Sequence, residues 1–194
     1  QGLLWLRLVC INQASMVLVA VTGASGFIGS HIVNALLRHG HNVRAVVRDP
    51  TSEGKTKHLR EFANAEQHLT IASGDLLSPG SFDEAFAGVD AVIHTAAVVE
   101  ILRVSNPQEE IVEPSLRGVE NVLSSIDKAG TVKIVVHTSS IIASMSFEKP
   151  EDHIFTEEDW NTWSTLESDP YGFAKTEAEK LMVAHAKGKS YSLH

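Results

Sequence analysis

Cysteine is almost absent from this chain of 194 residues, which holds only Cys10. One thiol excludes an internal disulfide framework and fits a reducing compartment, so a cytoplasmic setting is expected. Basic residues are in deficit as well, with 16 Lys and Arg against 24 Asp and Glu and a formal net charge of −8. That balance argues against nucleic acid or an anionic membrane as the main partner and leaves a small molecule. Internal repeats, low-complexity runs and Pro-rich linkers are missing, which points to one domain. The ten histidines come without H-E-x-x-H spacing or paired cysteines, so they are read as surface or strand-end residues and no metal is expected. No apolar run is long enough to span a bilayer: Leu3 to Ile11 is mostly apolar, but Arg7 breaks it and no clear cleavage pattern follows. An initiator methionine is lacking, whereas Met16 stands just before the first apolar strand. Residues 1–15 are therefore expected to be a non-core extension from upstream translation or a fragment boundary, with part of a targeting segment as the alternative.

What is present is ordinary for a globular protein, at 43% hydrophobic and 21% charged residues. The most informative stretch is VLVAVTGASGFIGSHI, Val17 to Ile32. Val17 to Val21 have the continuous aliphatic character of a strand buried on both faces. Gly23, Gly26 and Gly29 follow where the backbone must turn sharply and lie close to a ligand. A helix opening near Phe27 aims unpaired N–H groups and its positive dipole end at that point, which suits a pyrophosphate. The spacing G-x-x-G-x-x-G is one residue longer than the commonest dinucleotide fingerprint, so the match is to its mechanism.

Periodicity extends the pattern. Ile28, Ile32, Ala35 and Leu36 recur at helical spacing with Gly40 at the expected cap, and a strand follows at Val43 to Val47. Lys55 to Ala65 reads as a helix, Leu69 to Ala72 as a strand, Phe82 to Phe86 as a short helix and Ala91 to His94 as a strand. Pro107 to Lys128 reads as a long helix that Pro114 should bend or restart. Val132 to His137 is a fifth strand, Tyr171 to Ala186 a further helix, and Ser190 to His194 lies where a sixth strand would begin. This alternation predicts an α/β fold: a Rossmann-like, doubly wound parallel sheet in three α/β/α layers over residues 16–194. Its ligand belongs at the carboxyl ends of the strands. Ser144 to Asp169 is the long irregular connection, either shaping substrate entry or a loose surface excursion.

At the end of the second strand, where NAD and NADP are told apart, stands Arg48, with Lys55 in the following turn. A guanidinium clamps a 2′-phosphate in bidentate fashion, so NADP(H) is the expected cofactor, with Asp49 keeping NAD open. Asp75 and Leu76 sit where an adenine edge would be bracketed, although a turn-forming Asp fits equally. Tyr171 and Lys175 are four apart on one helix face, where an ammonium favours the phenolate and makes the phenol a usable acid. His137-Thr138-Ser139-Ser140, at the end of the fifth strand, adds hydroxyls at the same crevice mouth.

These residues resemble the extended short-chain dehydrogenase/reductases, and within them the branch of dihydroflavonol, cinnamoyl-CoA and related aldehyde or ketone reductases. The stretches carrying the likeness are VTGASGFIGSHIV, VRAVVRDP, GDL, NPQEEIVEPSLRGVENVL, HTSS and YGFAKTEAEK. The resemblance implies an NADPH-dependent oxidoreductase that reduces a ketone or aldehyde carbonyl. It makes Ser140 rather than Ser139 the hydroxyl holding the carbonyl, Tyr171 the proton donor, and Lys175 the group that binds nicotinamide ribose and tunes Tyr171. It assigns the turn of Gly23, Ser25, Gly26, Phe27, Ile28 and Gly29 to pyrophosphate, Arg48 and Lys55 to the 2′-phosphate, and Asp75 and Leu76 to adenine. Thr95, Ala96 and Ala97 fall to the cofactor's middle. Three departures stand out: Ser115 where many relatives have Asn, no N-W-Y-C-Y signature, and Met145 where flavonoid reductases place an asparagine. They argue against a flavonoid or lignin substrate and support only a carbonyl-reductase class. A sterol dehydrogenase or nucleotide-sugar epimerase using NAD, and a non-catalytic NADP(H) sensor, are the alternatives. The family normally continues with a substrate lobe, so a C-terminally truncated chain is expected. The helices at 107–128 and 171–186 suit either a homodimeric four-helix interface or ordinary sheet cover.

Overall fold

A computed structural model describes residues 16–98, 104–150 and 152–194. The expected extension at 1–15 lies outside the described residues. Six parallel strands form one sheet: β1 (Leu18–Thr22), β2 (Asn42–Val47), β3 (Leu69–Ser73), β4 (Ala91–His94), β5 (Ile134–His137) and β6 (Ser192–Leu193). Their order is β3-β2-β1-β4-β5-β6. The order reverses between β1 and β4, which creates the switch-point crevice of a doubly wound sheet.

The apolar runs are explained by burial on both faces. Val19, Val21, Val43 and Ala45 face a core that includes Val33 and Leu37 of helix α1 (Phe27–Arg38). Ala20, Val46 and Val92 face the opposite core, with Phe82 and Phe86. Val122 and Ile126 of a later helix, α5 (Glu113–Ala129), complete that second layer. Such residues cannot alternate with polar ones, because neither face meets water. Alpha helices covering both faces satisfy the right-handed crossover that parallel neighbours require.

One connection departs from the expected elements, and two others follow them with detail that periodicity does not supply. The helix expected at Lys55 to Ala65 is two pieces, α2 (Glu53–Arg60) and α3 (Ala65–His68). Between them Asn64 takes a left-handed φ of 67° and its side-chain amide donates to Leu37 O at 3.1 Å, so a local bond replaces the helical continuation. After the short helix α4 (Asp83–Phe86), the segment around Pro114 starts as a π-helical turn, Gln108–Val112, and passes directly into α5. Proline donates no N–H and its ring crowds the carbonyl four residues back, so the preceding turn widens and the helix restarts. The last helix, α6 (Pro170–Ala186), crosses over to β6, which pairs with β5 through Ile134↔Ser192 and Val135↔Leu193. Helices α5 and α6 pack on each other through Val119, Leu123, Ala178 and Met182.

Candidate active site

At the end of β1 the chain turns at Gly23, with φ 65°, and Gly26 N donates to Gly23 O at 2.9 Å to close the turn. A Cβ on Gly23 would stand 2.9 Å from Ala96 N and 3.0 Å from Thr95 Oγ1, so the turn lies directly against the exit of β4. A Cβ on Gly29 would stand 2.2 Å from Gly23 O. The first turn of α1 therefore rests on the glycine turn with no room for a side chain. The N-cap, Gly26, supplies no side-chain oxygen, so among the described residues the leading N–H groups of α1 have no side-chain cap. Glycine contacts and unpaired donors together fit the diphosphate expected there.

Buried Thr22 fastens the neighbouring strand end. Its hydroxyl oxygen accepts the N–H groups of Thr95 and Ala96, both at 3.2 Å, and lies 2.7 Å from His94 Nδ1. The Thr95 hydroxyl returns a bond to Thr22 O at 2.6 Å. Thr95 to Ala97 are thereby held beside the glycine turn.

At the far end of the crevice, Arg48 and Lys55 are both exposed just beyond β2. The Asp49 carboxylate accepts from Thr51 Oγ1 at 2.6 Å and from Thr51 N at 2.9 Å, and those bonds hold it below the ordinary carboxylate range. It is engaged by its own turn, which leaves Arg48 as the side chain presented there. The Asp75 carboxylate likewise accepts from Leu77 N at 2.9 Å, a turn-forming role. Leu76 packs toward Gly118, and Asn121 Nδ2 donates to Leu76 O at 2.7 Å. Gly118 and Asn121 escape a reading of the sequence, because nothing local marks a helix residue that supports a distant loop.

On the opposite side of the switch point, the two serines differ. The Ser139 hydroxyl donates to the Glu179 carboxylate on α6. Ser140 caps the 3-10 turn Ile141–Ala143, accepting from Ile142 N at 3.4 Å, and its own hydroxyl proton has no acceptor among the described residues. Tyr171 sits in the first turn of α6, and the Lys175 ammonium one turn later is 5.8 Å from the Tyr171 ring centroid. Asp169 caps this helix by accepting from Gly172 N at 3.0 Å.

Lys175 shares a cleft with Leu76, Ala96, Ala97, Ser115 and His137. Burial lowers the pKa of Lys175. Two histidines, the last residues of β4 and β5, stack with ring centroids 5.4 Å apart. Burial first, then the charge of Lys175, brings His137 down to about 4. Burial, then His137 and Lys175, brings His94 to about 3. Both are neutral near pH 7, so the lysine is the cation of this wall. Their strand-end placement agrees with the expectation; their burial does not agree with a surface role. The pairing depends on the register His94↔His137, which no local signal reveals.

The family model for the NAD dependent epimerase/dehydratase family matches residues 19–193. The chain belongs to that family. This epimerase/dehydratase chain is 40% identical over 174 residues to the bifunctional dihydroflavonol 4-reductase/flavanone 4-reductase of Malus domestica, covering 87% of this chain and 49% of the relative. It is 42% identical over 181 residues to tetraketide alpha-pyrone reductase 2 of Arabidopsis thaliana, covering 87% and 54%. Its fold is similar to that of Gre2 from Candida albicans in complex with NADPH, with a TM-score of 0.81, 29% identity, and coverage of 91% of this chain and 56% of that one. The resemblance to extended short-chain dehydrogenase/reductases read from the motifs agrees with these relatives. The chain spans about half the length of the curated relatives it matches. Among the described residues no helix is long and apolar enough to cross a membrane.

Proposed function

We propose that this chain carries the dinucleotide-binding and proton-donating machinery of an NADPH-dependent reductase that converts a ketone or aldehyde carbonyl to an alcohol. The observation that carries the reading is one cleft at the carboxyl ends of the strands, which joins the exit of β4 beside the glycine turn to the lysine of the Tyr171–Lys175 helix. The glycine turn and the leading N–H groups of α1 would hold the diphosphate, and Arg48 with Lys55 the 2′-phosphate. Thr95 to Ala97 would line the cofactor's middle, with Asp75 and Leu76 beside its adenine. When bound, the reduced nicotinamide supplies hydride to the carbonyl carbon.

The chain's own residues handle the oxygen. The free hydroxyl proton of Ser140 and that of Tyr171 donate to the carbonyl oxygen as negative charge develops on it. Tyr171 then gives up its proton to complete the alcohol, and the ammonium of Lys175 beside the ring stabilises the phenolate left behind. The neutral histidine pair adds no competing positive charge, so that stabilisation is concentrated at one residue. The engagement of Ser139 by Glu179 favours Ser140 for the substrate. Engagement of Asp49 by Thr51, together with the NADPH held by the similar Gre2 structure, supports NADP(H) over NAD. A reducing, cytoplasmic setting fits the single cysteine.

The test uses the full-length protein. Tyr171→Phe is expected to bind NADPH within about twofold of wild type while turnover of a carbonyl panel falls by roughly 100-fold or more. Undiminished turnover removes Tyr171 from the mechanism. Absence of carbonyl-dependent NADPH consumption by the wild type overturns the reading itself.

A further inference from the structure

Resting on that reading, we propose that Asn161 is a positioning residue for the reaction: it ties the segment carrying Ser140 to the helical turn carrying Tyr171 and thereby sets the separation of the two hydroxyls. Asn161 lies in the long connection between β5 and α6 and is only 4% exposed. Its amide Nδ2 donates to Ile142 O at 2.8 Å, and its backbone N donates to Ala143 O at 2.8 Å. Both acceptors belong to the 3-10 turn that Ser140 caps. The same Nδ2 donates to Ser164 Oγ at 2.7 Å, and Ser164 passes its hydroxyl proton to Asp169 Oδ2 at 2.8 Å. The other oxygen of Asp169 accepts from Gly172 N, the residue after Tyr171.

The network is complete in its proton directions. Asn161 Oδ1 accepts from Trp163 N and Ser164 N, both at 2.9 Å, so its oxygen and both amide protons are committed. Ser164 has one proton, which goes to the carboxylate, and so must accept from Asn161. The seat is also closely fitted: a Cβ on Gly172 would lie 2.1 Å from Asp169 Oδ2 and 2.5 Å from Ser164 Oγ. The Ser139–Glu179 bond, one helical turn beyond Lys175, ties the same helix to the same strand end from the other side. Held at both points, α6 can neither slide nor tilt against Ser140 without breaking partly buried polar bonds. A misplacement of about 1 Å between two groups that must meet one oxygen is enough to cost orders of magnitude in rate.

Two variants of the full-length protein test this. Asn161→Ser keeps an oxygen for the Trp163 and Ser164 N–H groups but is too short to reach Ile142 and Ser164. Asn161→Asp keeps the size and the acceptor and removes the amide donor. In both, kcat per NADPH-binding site, counted by stoichiometric titration so that unfolded molecules drop out, is expected to fall at least roughly tenfold while NADPH affinity stays within about twofold. A purely structural role would lower the number of binding sites and the unfolding midpoint but leave kcat per site unchanged. Per-site kcat within twofold of wild type in either variant that retains binding sites overturns the proposal while leaving the reductase reading intact, provided Tyr171→Phe is inactive beside it. Loss of all NADPH-binding sites from both variants also overturns it, because Asn161 then serves the fold alone. A fully active Tyr171→Phe removes both.

Discussion

Gly29→Ala probes the contact on which the proposed cofactor site rests. The added methyl carbon would lie 2.2 Å from Gly23 O, 2.8 Å from Gly23 C and 2.9 Å from the Ala24 Cα, all backbone atoms that no rotamer change can move aside. Reaching ordinary van der Waals separation requires α1 to retreat by roughly 1 Å. With the contact at 2.2 Å against rigid backbone, overpacking costs about 2–3 kcal/mol, the upper part of its usual range, and the better helix propensity of alanine returns about 1 kcal/mol. A net loss of about 1–2 kcal/mol lowers Tm by roughly 2–8 °C in a domain of this size. The same retreat takes the α1 N–H groups out of reach of a diphosphate, an interaction worth up to about 2 kcal/mol, or roughly 30-fold in Kd. Gly54→Ala in α2 is the control, since its Cβ meets nothing within 4 Å. It is expected to leave NADPH affinity unchanged and to stabilise by about 0.5–1 kcal/mol. Thermal unfolding and NADPH fluorescence titration measure both. A Gly29→Ala protein as stable as wild type that binds NADPH within twofold would refute the seating of α1 on the glycine turn.

Acid sensitivity follows from the buried histidine pair. Folded values of about 3 for His94 and about 4 for His137 lie below the unfolded 6.5, so stability is full above pH 6.5 and declines as pH falls toward 4 and then 3. Each histidine contributes at most about 1.4 kcal/mol per pH unit in that window. Urea midpoints between pH 4.5 and 7.5 should therefore show a shallower slope for His137→Phe than for wild type, and an equal slope would count against the burial argument. At the other end of the crevice, Arg48→Ala should weaken NADPH binding by roughly tenfold and leave NADH binding unchanged. Equal losses for the two dinucleotides in parallel titrations would exclude a 2′-phosphate contact.

Much of this molecule was legible before any coordinates. The run Val17 to Val21, the glycines after it and the helical spacing beyond are contiguous, and each carries its own physical signature. Strand boundaries accordingly agree with expectation to within two residues, the largest difference being at β5, which Val132 and Lys133 precede. The helix expected at Lys55 to Ala65 ends early, at Arg60, and does not resume until Ala65, where Asn64 turns left-handed and finds its bond partner at Leu37, on another element. Within the long connection, the bond from Asn161 to Ile142 spans 19 residues, so no local signal announces it.

Sequence alone determined the parallel α/β plan, the tight glycine turn after the first strand and the placement of Tyr171 and Lys175 on one helix face, since each depends on residues within a turn or two of one another. Only tertiary structure decided that the Ser139 hydroxyl is engaged by Glu179 while the Ser140 hydroxyl proton meets no acceptor among the described residues, and that two strand-end histidines stack in the cleft that Lys175 lines. Those outcomes depend on inter-strand register, burial and the direction of single protons. Such quantities arise between elements far apart in the chain, where periodicity carries no information.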